Sequence, residues 1–187
     1  MKNKATLLLF FSTVIVLFSG CATLFSYDPQ QPEVVVTKAS SDELRRFGIN
    51  YDVNPYLDKK SILSGWVTDT FVLKIKMNFP VDTRIYITAE MKTLDGKNAA
   101  QAYDNDALIQ FWEENSERDS ETALTTIQKN KNIRKSCIPG FSFNQKAGQA
   151  TYFLPFIGWH PIQKPAKVFV QVATGKGEPI IYTYTLE

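Results

Sequence analysis

From Phe71 to Phe79 the chain alternates. Phe71, Leu73, Ile75, Met77 and Phe79 are apolar, with Val72, Lys74, Lys76 and Asn78 between them. A period of two over nine residues predicts a β-strand with one buried and one wet face, because successive side chains of a strand point to opposite sides. Pro80 ends it. The pattern repeats from Arg84 to Lys92, with Ile85, Ile87, Ala89 and Met91 facing in. Asp95-Gly96 then suits a tight hairpin turn, with a return strand through Asn98–Tyr103. Earlier, Glu33–Thr37 reads as a first strand. Ser41–Arg46 reads as a capped helical turn stopped by Gly48. The segment 49–61 is irregular, with a turn at Asn54-Pro55.

The C-terminal part has the same character. Tyr152–Phe156 is apolar, and its Pro155 suggests a sheet edge or a strand end. Val168, Val170 and Val172 alternate with Lys167, Phe169 and Gln171. Gly175-Lys176-Gly177 is a hairpin signal, and Ile180, Tyr182, Tyr184 and Leu186 alternate after it. One-sided alternation joined by hairpins predicts seven or eight antiparallel strands in an immunoglobulin-like β-sandwich over residues 33–187. The period changes between about residues 104 and 148. Leu108, Ile109, Phe111 and Trp112 fall at helical spacing behind a cap at Asp104 or Asn105. Ala123, Leu124 and Ile127 do the same behind Ser116 or Asp119. A two-helix insertion is expected there.

The first twenty residues are unlike the rest. Lys2 and Lys4 precede an apolar run from Ala5 to Phe18, followed by Ser19, Gly20 and Cys21. That order matches a secretory signal: a cationic start, an apolar core and a small-residue site. The run is short against the ~20 residues that span a bilayer. Leu17-Phe18-Ser19-Gly20-Cys21 resembles the lipobox of bacterial lipoproteins, with Phe18 where the pattern usually has Leu. The resemblance implies cleavage before Cys21 and diacylglycerol on its thiol, often followed by acylation of the new amino group. Two or three acyl chains anchor stably, since each buried CH₂ is worth about 0.8 kcal/mol. Residues 22–32, with Pro29 and Pro32, read as a tether reaching at most about 35 Å. Ala22, rather than Asp, is what the enterobacterial sorting pattern associates with the outer membrane.

Charge and cysteine content narrow the chemistry. The full chain has 21 cations and 19 acids. Loss of residues 1–20 removes two lysines and leaves a balance near zero. No nucleic-acid motif is present, and no nucleic-acid partner is expected. Lipidation of Cys21 leaves Cys137 without an intramolecular partner. The single histidine, His160, argues against a multi-histidine metal centre, and no metal or cofactor is implied.

Four features compete for a role, each against a plainer reading. Cys137 with His160 as base would make a thiol enzyme, but a lone cysteine is commonly a small buried hydrophobe. Lys129, Lys131, Arg134 and Lys135 can meet anionic headgroups or an acidic partner, or pair with Glu113, Glu114, Glu117, Asp119 and Glu121. The dense aromatics from Phe141 to Trp159, chiefly Phe141, Tyr152, Phe156 and Trp159, form a ligand platform if exposed and core if packed. Gly175-Lys176-Gly177 lacks phosphate-loop spacing. The expectation is a non-catalytic envelope lipoprotein, bound to the membrane through its lipid and to an envelope protein partner. A carrier for an apolar or carbohydrate ligand is the alternative.

Overall fold

The protein is described from a computed structural model covering residues 33–58, 68–115, 123–159, 161–175 and 177–187. The expected signal, Cys21 and the expected tether lie outside the described residues. So do the proposed caps Ser116 and Asp119, His160, Lys176 and the Trp159 ring.

The alternating segments form strands. They are β1 (Glu33–Lys38), β2 (Thr68–Phe79), β3 (Thr83–Thr93), β4 (Asn98–Ala102), β5 (Ser142–Gln145), β6 (Gly148–Trp159), β7 (Ala166–Thr174) and β8 (Ile180–Leu186). Among the described residues three helices join them: α1 (Ser41–Arg45), α2 (Asn105–Glu114) and α3 (Ala123–Ser136). All strand pairs are antiparallel, in the order β1-β2-β6-β4-β3-β7-β8, with β5 on β3. The fold is thus mainly β. The pairing does not divide into the two separate sheets of an immunoglobulin-like sandwich. β4 bonds β3 at Met91↔Ala100 and β6 at Gln101↔Ile157, so one continuous eight-stranded sheet bends back toward a barrel. The Phe71 ring on β2 stacks on Tyr184 of β8, with centroids 5.4 Å apart.

The inner face is the expected one. Leu73, Ile75, Ile85, Leu154, Val168 and Val170 are fully buried there. The outer face of β2 and β6 departs from the expected wet surface, since Val72 and Phe153 are also buried. The segment after α1 covers it: Phe47 and Tyr56 pack on Phe153, with ring centroids 5.3 and 5.6 Å away. Asn54 holds that segment together by donating from Nδ2 to the Leu44 and Gly48 carbonyls. Asn132 of α3 ties it down by donating to the Phe47 and Val53 carbonyls.

Local signals explain the helices. Ser40 and Glu43 form a reciprocal capping box at α1, satisfying two otherwise orphaned N–H groups. Asp104 caps α2 by accepting from the Ala107 N–H. The helical insertion is shorter than about 104–148, because α3 ends at Ser136 and β5 and β6 occupy most of residues 142–148. The polarity of α3 is also reversed. Leu124 and Ile127 are 77% and 63% exposed, while Lys129, Ile133 and Ser136 are buried.

Candidate functional site

Pro155 lies in a central strand, not at an edge, and the reason involves Cys137. The register Gln101↔Ile157 and Ala102↔Phe156 brings Tyr103 opposite Pro155. The Tyr103 N–H donates to the Pro155 carbonyl at 3.0 Å. The return bond needs an N–H that proline lacks. The Cys137 thiol takes that place, with Sγ 3.7 Å from the Tyr103 carbonyl oxygen. Cys137 and Ile138 then run beside β6 where β4 has stopped, and the Ile138 N–H donates to the Phe153 carbonyl. A break in the ladder is thereby repaired by a side chain and a short bridge.

This arrangement suits structure better than nucleophilic chemistry. Burial, and next the Asp104 carboxylate, push the Cys137 thiol well above its ordinary range. A thiol enzyme requires the opposite shift. Tyr56 is likewise pushed up, first by burial and then by the adjoining thiol. Its hydroxyl shares a 2.7 Å hydrogen bond with Ser136 Oγ, which donates to the Asn132 carbonyl. Tyr56 and Ser136 carry no local sequence signal of this contact, since 80 residues separate them.

The aromatic candidates do not converge. Phe156 is fully buried and presents no ring to a ligand. Tyr152 is half-buried, packs on Phe143 at 5.5 Å and donates to Gln145 Oε1. Phe141 is half-buried, and its carbonyl accepts from the Ile87 N–H. It also borders an open groove of about 790 Å³ where β3 and β4 diverge, shared with Ala89, Ala102, Tyr103 and Ile157. The basic residues separate too. Lys129 is buried with its ammonium 4.8 Å from the Trp112 ring centroid, whereas Lys131, Arg134 and Lys135 are exposed.

A strand edge completes the candidates. Among the described strands, β8 pairs with β7 alone. The direction of its backbone groups follows from the ladder. The Ile87 N–H points to Phe141, away from β7, so even-numbered residues of β3 face β7. Carrying the alternation across Tyr86↔Ala173 and Val170↔Tyr182 leaves Ile181, Thr183 and Thr185 pointing their N–H and C=O groups outward. Their side chains are exposed, Ile181 by 59%. β8 carries no charge and no proline, the usual devices that keep an edge from pairing.

No family model, no curated protein and no solved structure matches this chain.

Proposed function

We propose that this protein is a non-catalytic envelope lipoprotein, anchored through lipid on Cys21, that binds another envelope protein by accepting an extended strand on β8. The β8 edge, uncharged and without a second partner among the described strands, carries the reading. Main-chain hydrogen bonds from an added strand supply affinity, and alternate side chains supply selectivity. The thiol's inaccessible setting at Cys137 favours binding over catalysis. The signal and the lipobox-like segment support export and anchoring, with the outer membrane as the destination that Ala22 suggests. A two-layer, sandwich-like description of the bent sheet belongs to the same reading and is supported by the Phe71–Tyr184 stack.

Gentle crosslinking in the native cell, followed by purification, tests the partner. A specific envelope protein is expected with the wild-type chain and is lost with Thr183→Pro. That substitution removes an outward N–H, a change edge strands tolerate. Recovery of the chain alone at native level refutes the reading. Cys21→Ser is expected to leave the protein unlipidated by mass spectrometry.

The second reading, a carrier for a small apolar or carbohydrate ligand, is favoured by one observation: Phe141 borders the β3–β4 groove. A ligand released from the natively purified protein and lost with Phe141→Ala would support it.

A further inference from the structure

α3 carries its unusual residues on one side. At 3.6 residues per turn, Leu124, Ile127, Lys131, Arg134 and Lys135 fall within an arc of about 100°. All five are exposed, opposite the side that buries Ile133 and Ser136. The helix contains no acidic residue. Arg134 makes a loose, solvent-exposed ion pair with Asp106 at 4.0 Å. Two large apolar side chains held in water beside three cations have no role in the core.

The charge continues beyond the helix. Lys135 also lines a groove with Arg46, Lys74 and Lys76, where Glu43 is engaged by Lys74. Lys76 pairs across the ladder with Val35 of β1, close to Glu33, where the tether joins the domain. The basic surface is therefore built beside the strand that the tether enters, in a domain whose overall charge is near zero.

We propose that this face of α3 rests on an anionic lipid surface. Leu124 and Ile127 enter the headgroup–acyl boundary, and Lys131, Arg134 and Lys135 meet lipid phosphates. Arg46 and Lys76 extend the contact along the groove. Such a mixture of apolar and cationic side chains suits the membrane interface, where apolar burial and attraction to anionic lipid add. An acidic protein could also cover this patch, but its place beside β1, the strand that follows the short tether, favours the bilayer to which that tether leads. The contact would orient the tethered domain and is separate from strand addition at β8.

Vesicle co-sedimentation tests this with the chain from Ala22 to Glu187, which holds the whole described core and lacks the lipid. Phosphatidylcholine vesicles are compared with the same vesicles containing phosphatidylglycerol. Binding is expected only to the anionic vesicles, and is expected to weaken with salt. Lys131→Ala, Arg134→Ala and Lys135→Ala should each lower it roughly fivefold. Leu124→Ser and Ile127→Ser should each lower it roughly tenfold. Lys131→Arg should retain it, as should Thr183→Pro. Unchanged melting temperatures would show that the variants fold. Absence of binding, equal binding to neutral vesicles, or indifference to these substitutions overturns the proposal. So does loss of a crosslinked acidic protein in the variants while vesicle binding stays put.

Discussion

The contact between Cys137 and the Tyr103 carbonyl has a measurable signature. In Cys137→Ala the carbonyl loses its Sγ–H donor and stays buried opposite a proline that cannot replace it. An unsatisfied buried carbonyl costs about 1–3 kcal/mol, with the low end apt for a weak thiol donor. Loss of the buried sulfur adds about 1 kcal/mol of transfer free energy. The expected destabilisation is thus about 2–3 kcal/mol. Pro155→Ala restores an N–H at the position facing Tyr103. It forfeits the rigidity of proline, worth about 0.4–1 kcal/mol, but gains a backbone hydrogen bond. Its stability should stay within about 1 kcal/mol of wild type. In the double variant the new N–H satisfies Tyr103, so loss of the thiol costs only the transfer part. The two substitutions should therefore couple by about 1 kcal/mol in the stabilising sense. Urea unfolding of the four proteins, all lacking Cys21, measures the cycle directly. Independent sites add to within about 0.3–0.5 kcal/mol, so coupling inside that range refutes the repair of the ladder by Cys137.

Other outcomes follow from single contacts. Cys137 should resist alkylation in the native chain from Ala22 and react fully in denaturant, as read by mass spectrometry. Rapid native labelling would contradict its burial and raised pKa. Trp112 is fully buried, and its Nε1 donates to the Pro55 carbonyl, so Trp112→Ala should cost about 3–5 kcal/mol in urea unfolding. Asp104→Ala should cost about 0.5–2 kcal/mol through the lost α2 cap. The Lys74 and Ser40 contacts lower Glu43 from 4.5 to about 2. A depressed carboxylate stabilises the fold above its unfolded pKa, so this contribution is full above about pH 4.5 and is lost as the pH falls toward 2. For a partly exposed ion pair it should not exceed about 1 kcal/mol, and Glu43→Gln should remove that part of the acid dependence.

Much of the strand content was legible because alternation is a local signal. Phe71–Phe79 and Arg84–Lys92 each display their inner residues directly, and Asp95-Gly96 marks the turn between partners. The Asp104 cap was legible for the same reason. The failures have a common cause. Val72 reads as wet because Thr70, Lys74 and Lys76, which share its strand face, are polar, yet residues from 47 to 56 cover that face. Leu124 and Ile127 looked like core because apolar spacing reveals a stripe but not the side to which it turns. Pro155 reads as an edge residue because it lacks an N–H, and only the fold brings Cys137 to the carbonyl left facing it. Phe156 was one aromatic among several until the register made it the partner of Phe71.

The sequence by itself determined the β-rich character, the eight-strand count at the upper end of the range and the near-neutral charge of the chain after residue 20. It also carried the signal-like and lipobox-like segments that motivate the proposed membrane anchor. These depend on side-chain alternation, turn chemistry and composition, which act over a few residues. Tertiary structure alone decided that one sheet bends back on itself, that Cys137 is a buried cap and that β8 is left at an edge. It also decided that α3 turns Leu124 and Ile127 outward beside its cations. Those outcomes depend on which distant segments share a ladder or a face. That pairing is set by closing the whole core at once, so no local window of the chain contains it.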